Sequence, residues 1–410
     1  MTGGNNIEKS LFELIQVAAG NCSALSSVPA QHEWQHLYGL LSKHTLLGIG
    51  FVAIQKLPEE QWPPKMLVLK WTSVATAISH QNKTLNEECK SLCEWFRHDG
   101  VASVVIKGQS NLENYPEELR WYRTPGDIDL WCEARNGVEI GEMVNGEVVK
   151  SEFHGIAGVI EYCKQYERCC GRDIPWHRVL YYHCELKSDN GIAIEPHYRI
   201  SYLHSPVRNH RLQKWFKNQF DVCFQNKCQL GFPVLTSSVN VVYQLVHLYR
   251  HVFEGGIGLR QLMDYYFALR VWHNDVMECK DLQTQGMWSE GLGTAVMSPT
   301  EVMAVIRSFG MKKFAASVMY VLQEVFAMPS LYYICEPNEK EGKKLLAEIM
   351  QGGNFGQYDT RDAELKRGGM MKHGLWKLKR VMRLVRSYPE EALWEPVFRV
   401  WYLGWRMIHG

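Results

Sequence analysis

Apolar residues recur at three- and four-residue steps through most of the chain, and this helical period gives way only between about residues 100 and 205. Near the start, "EKSLFELIQV" predicts an amphipathic helix, with Asn5 or Asn6 placed to cap it. The helical pattern runs on to about residue 99, through "LNEECKSLCEWFRHDG", where Gly100 is a natural stop. "VASVVIKG" then reads as a short buried strand ending in glycine, "QSNLENYPEELRWY" as a short helix and a turn, and "DIDLW" as a second strand. Residues 133–152, rich in Gly, Glu and Val, predict a hairpin or an excursion, and "GIAGVIEYCKQYERCC" predicts a helix. "HRVLYYHCELKSDNGIAIEPHYRI" predicts a hairpin that turns at "SDNG". From about residue 208 the pattern is helical again, broken at "QTQGMWSEGLG", at "EPNEKEGKK" and at the glycine-rich "QGGNFGQYDTRDAELKRGGMMKHG". No repeat of fixed period is visible. The expected fold is α+β: a small core with a mixed sheet over residues 100–207, set between an N-terminal helical segment, 1–99, and a C-terminal helical region, 208–410.

Within the core, "TPGDIDLW" places two acids one residue apart. On an extended strand Asp127 and Asp129 project to one face while Ile128 and Leu130 face the other way. Like charges so placed repel unless a cation, an arginine or water lies between them. The bland explanation is a strand with solvated aspartates paired to Arg123. A third acid, Glu195 in "IAIEPHYR", falls on a later strand and alternates with Ile194. Three carboxylates from two strands would make an oxygen-rich pocket of the kind Mg²⁺ requires. His197 and Arg199 alternate with Glu195, so they would either orient that acid or simply pack beside it.

Composition narrows the class without naming a function. The 410 residues are 46% hydrophobic and 22% charged, which is globular, with a net charge of +1 that gives no global attraction for nucleic acid. The N-terminus lacks the basic start and apolar run of a signal peptide, and no stretch has the roughly 18 uncharged apolar residues a membrane span needs. A cytoplasmic protein is expected. Twelve cysteines without a CxxC pair read as thiols rather than a disulfide or metal framework.

The ordered set "IKG", "YP", "R..GDIDLW" and "IEPHYR" resembles the uncharacterised nucleotidyltransferase family within the DNA polymerase β-like superfamily. The later "HLYRHVFEGGIGLRQLMDYYFAL" resembles the helical segment that follows in that family, so the likeness covers about residues 100–270. It implies a nucleotidyltransferase core that moves a nucleoside monophosphate from an NTP, ATP first among them, to a hydroxyl-type acceptor and releases pyrophosphate. It implies that Asp127, Asp129 and Glu195 are catalytic and hold Mg²⁺ or Mn²⁺. Lys107, Gly108, Gln109, Ser110 and Arg123 would meet the nucleotide, Lys107 as a point charge and Arg123 as a bidentate fork. One departure is Gln109, which stands where the superfamily commonly has a second small residue, with Ser110 one place later. The alternative is a nucleotide-binding or scaffold protein that kept the fold without turnover.

Other features carry weaker expectations. His247 and His251 share a helix face at a zinc-like spacing, but Leu248 stands where a metalloprotease has its general base. Arg260 and Asp264 are four apart, which predicts an intrahelical pair. The resemblance makes His251 and Asp264 candidates for the acceptor side. "KHGLWKLKRVMRLVRSYP" carries six Lys or Arg and no acid, so a basic helix there would touch a membrane surface or a protein, or pack on its own domain with its charges solvated. No transmembrane segment and no nucleic-acid partner are expected.

Overall fold

The computed structural model describes residues 2–144, 147–188, 190–284, 296–366 and 368–409. The fold is α+β, a small mixed sheet among many helices. By contact the chain groups into two compact units, each drawn from three separate stretches. One comprises residues 1–83, 114–125 and 241–389; the other comprises 84–113, 126–240 and 390–410.

The second unit holds every described strand. Strands β1 (Ala102–Val105), β2 (Ile128–Glu133), β5 (Leu186–Lys187) and β6 (Ala193–His197) form one sheet in the order β1-β2-β6-β5. β3 (Val138–Val144) and β4 (Glu147–Phe153) pair separately and antiparallel, within the stretch for which a hairpin or an excursion was expected. β1 runs antiparallel to β2 and β5 antiparallel to β6, but β2 and β6 are parallel, with Asp129 opposite Glu195 and Trp131 opposite His197. A strand paired on both edges and covered on both faces reads as a continuous buried run. β2 is such a strand: Ile128 to Cys132 are all buried, and Trp131 stands edge-on to Phe220 with ring centres 4.8 Å apart. A helix over Gly155–Cys169 lies against β2, β3 and β4. The helix Lys65–His98 stops before Gly100, whose φ of +88° admits glycine most readily.

The first unit is helical. Its N-terminal helix spans Thr2–Ala19, so Asn5 and Asn6 lie inside the helix instead of capping it. The basic segment forms a helix over Met370–Leu384 that buries Trp376, Val381 and Arg380. At least three of the segment's six Lys and Arg residues are engaged within the unit: Arg380 donates to the Val252 carbonyl at 2.7 Å, while Lys379 and Arg383 pair with Asp362. Met371, Leu375, Leu378 and Met382 form an exposed apolar row along the same helix. The break at "QTQGMWSEGLG" lies largely outside the described residues. Among the described residues no helix is long and apolar enough to cross a membrane.

Candidate active site

The site grows from the register of β2 and β6. Parallel pairing sets Asp129 directly opposite Glu195, so both carboxylates stand on one face, and Asp127, just before β2, falls on that face by alternation. One oxygen from each of the three acids lies within 4.8 Å of the others. Asp129 is fully buried, and that much negative charge out of water needs compensation.

Compensation comes from two sides. Lys107, on the loop leaving β1, brings Nζ to 2.6 Å from Asp129 Oδ1 and 4.0 Å from Glu195 Oε2. That loop is pinned to the acid strand by the Ile106 amide, which donates to the Asp129 carbonyl at 3.1 Å. Two residues along β6 from Glu195, the buried His197 places Nε2 3.0 Å from Asp129 Oδ1 and 3.4 Å from Glu195 Oε2. Burial acts to raise the Glu195 carboxyl, but its hydrogen bond to His197 and the charge of Lys107 outweigh that and hold it below the usual carboxylate range. The second oxygen of Asp129, Oδ2, is buried without a hydrogen-bond partner among the described residues. A buried carboxylate oxygen left unbonded is costly, and a bound cation would satisfy it. Asp127, Asp129 and Glu195 are thus grouped so that they could hold a metal ion.

Gly108 opens a short 3₁₀ turn over Gly108–Asn114 beside these acids. Its φ is +59°, and a Cβ there would stand 3.3 Å from the Asp127 carbonyl oxygen. Both facts favour glycine: the left-handed backbone and the close passage of the turn over the acid strand. Gln109 and Ser110 are buried in the turn, and the Ser110 amide donates back to the Lys107 carbonyl at 3.2 Å.

The structure thus gathers Lys107, Gly108, Asp127, Asp129, Glu195 and His197, with Gln109 and Ser110 in the adjoining turn. Arg199 turns elsewhere, donating to the Tyr181 carbonyl at 2.6 Å with its guanidinium 4.3 Å over the Tyr181 ring. Arg123, Asp264 and His251 belong to the other unit. Arg123 is buried, and its Nε and Nη2 grip the two oxygens of Asp264 at 2.6 and 2.7 Å, so this fork is engaged by a carboxylate where a phosphate contact was expected. Tyr115 also donates to Asp264, at 2.7 Å; burial pushes its hydroxyl pKa well up, and Asp264 adds to the rise. Arg260, expected beside Asp264, donates to the Thr124 carbonyl at 2.8 Å. His251 packs its ring 4.3 Å from that of His247 and approaches Glu254 at 3.3 Å. Among the described residues these histidines are not part of a cluster able to hold a metal.

One residue escaped the sequence reading. His183 is buried, bridged across strands to His197, with Nε2 3.7 Å from Glu195 Oε2. The predicted hairpin contained the signal. Leu186 pairs with Ile194, so three steps back along one arm and three on along the other set His183 opposite His197.

No curated protein and no solved structure matches this chain. A model of one family does match, described as uncharacterised nucleotidyltransferases, and it covers residues 30–286. The match takes in the entire acid face, the turn at Gly108 and more than half of the sequence: the chain belongs to the uncharacterised nucleotidyltransferase family.

Proposed function

We propose that this nucleotidyltransferase moves a nucleoside monophosphate from an NTP, ATP being the first candidate, to a hydroxyl-type acceptor in a reaction dependent on Mg²⁺ or Mn²⁺. The observation that carries the proposal is the convergence of Asp127, Asp129 and Glu195 on one spot where a buried Asp129 oxygen has no hydrogen-bond partner among the described residues. A divalent ion held by these acids would neutralise the triphosphate and lower the proton affinity of the attacking hydroxyl. The reaction joins the acceptor oxygen to the α-phosphorus and breaks the α–β bridge; pyrophosphate leaves and the hydroxyl proton passes to solvent.

The chain's own groups do the positioning. Lys107 supplies a positive charge next to the acids, compact and mobile enough to shift from Asp129 toward a phosphate oxygen. Gly108 removes the side chain that would hold phosphates off the backbone. His197 fixes Asp129 and Glu195 from behind, leaving their other oxygens for a ligand. Arg123 and Asp264, as a buried bidentate pair, brace their own unit in this reading.

One observation favours a second reading, a nucleotide-binding protein without turnover: Lys107 stands 2.6 Å from Asp129 Oδ1, where its own charge can neutralise that carboxylate. Thermal shift separates the two. The enzyme reading expects Mg²⁺ and ATP together to stabilise the protein more than the sum of each alone; the scaffold reading expects stabilisation by ATP that is indifferent to Mg²⁺. Absence of any shift with every NTP and either cation contradicts both.

A further inference from the structure

The same face of the sheet carries a second donor set of a different chemical character. His183, Glu195 and His197 each offer one ligand atom, all within 4.8 Å of one another. Sheet geometry holds them: His197 and Glu195 sit two apart on β6, and His183 faces His197 across the strand pair. The two imidazole rings lie 4.9 Å apart and only 35° from parallel. Both histidines are buried, while the Glu195 side chain is partly open to solvent, which leaves a way in for an ion.

The separations suit a small tetrahedral cation. Bond lengths of about 2.0–2.1 Å to nitrogen and oxygen require ligand atoms about 3.4 Å apart. Here His183 Nε2 lies 3.7 Å and His197 Nε2 3.4 Å from Glu195 Oε2. A hydrogen-bonded histidine cluster would explain one short contact, but it does not explain two buried imidazoles turned toward one carboxylate oxygen. Mg²⁺ prefers an all-oxygen shell, whereas imidazole nitrogens favour Zn²⁺ and its neighbours in the transition series.

We infer that His183, His197 and Glu195 form a binding site for a borderline-soft divalent cation of the Zn²⁺ class, next to the oxygen site of Asp127, Asp129 and Glu195 and sharing Glu195 with it. One carboxylate serving two sites makes the two ions rivals for it. Binding at the imidazole site is independent of nucleotide transfer, because it requires neither NTP nor acceptor.

The test uses the full chain stripped of metal by a chelator and then titrated with Co²⁺, whose visible absorption reports tetrahedral nitrogen and oxygen ligation. Wild type is expected to saturate at one equivalent and to release Co²⁺ to Zn²⁺. His183→Gln should weaken Co²⁺ binding at least tenfold, whereas Asp127→Asn, outside this donor set, should change it less than threefold. Wild-type affinity in His183→Gln, or equal losses in both variants, would overturn the inference. X-ray absorption on the Zn²⁺-loaded wild-type chain avoids any dependence on the variants' folding: two imidazole ligands are expected, and a shell without imidazole rejects the site. Neither measurement contains nucleotide, so failure of the transfer reaction would leave both results standing.

Discussion

Lys107→Met removes the lysine that pairs with the acid face while keeping most of its apolar stem. In the metal-free chain this strips Asp129 of a 2.6 Å ion pair and takes a cation from Glu195 at 4.0 Å. Removing one partner of a buried pair typically costs about 3–5 kcal/mol, because the other charge stays buried and uncompensated. The Lys107 side chain is 17% exposed and His197 still bonds Asp129, so the lower end, about 3 kcal/mol, is expected. A divalent ion should then restore what the lysine supplied. At a hundredfold excess over its dissociation constant a ligand stabilises the folded state by about 2.7 kcal/mol. Wild type must move Lys107 aside to bind the ion and the variant need not, so the metal-induced gain should be larger in the variant. Urea unfolding with EDTA, then with saturating Mn²⁺, measures both quantities. Equal stability of the two proteins in EDTA, or equal gains from Mn²⁺, would refute the claim that lysine and metal compensate the same carboxylates.

Gly108→Val forces a branched side chain onto a left-handed backbone 3.3 Å from the Asp127 carbonyl; it should cost about 1–2 kcal/mol of stability and weaken NTP binding at least tenfold by calorimetry, and unchanged affinity would mean that phosphates do not pass over this turn. Asp264→Asn leaves the buried Arg123 guanidinium without its counter-charge, so about 3 kcal/mol or more should be lost in urea unfolding; a loss below about 0.5 kcal/mol would show the pair to be dispensable. For pH, the Glu195 carboxyl is held below its ordinary value of 4.5, so its stabilisation is fully present above that value and is lost as pH falls through the lower folded value. The stability advantage of wild type over Glu195→Gln should therefore shrink as pH falls below 4.5, and an advantage that grows there would reverse the sign of this account.

What could be read from the sequence depended on how local each interaction is. The pairing of Asp127 with Asp129 follows from the two-residue period of a strand and needs nothing beyond five residues. The hairpin ending in "IEPHYR" was legible because its turn chemistry is local. That Asp129 faces Glu195 is different: parallel register between strands 66 residues apart is set by the whole core, so the residues suggested a shared pocket without specifying the pairing. The grip of Arg123 on Asp264 spans 141 residues, and the four-residue spacing of Arg260 to Asp264 offered a nearer partner that obscured it. His183 was reachable by counting register back from "SDNG". The short run around it, "LYYHCEL", shows no alternation of acids, so nothing in it marked the histidine.

The central claim is that the three carboxylates form a catalytic metal site, and Glu195→Gln tests it most directly. Glutamine keeps the size of the side chain and can still bond His197, so the fold should persist. One preparation is assayed twice, for Mg·NTP affinity and for Mg²⁺-dependent pyrophosphate release with labelled NTP in the presence of a pool of metabolite acceptors. Affinity within a few-fold of wild type, with release lowered by at least about a hundredfold, is the predicted result, the scale of losing one catalytic group. Release at the wild-type rate would take Glu195 out of the reaction and contradict the account.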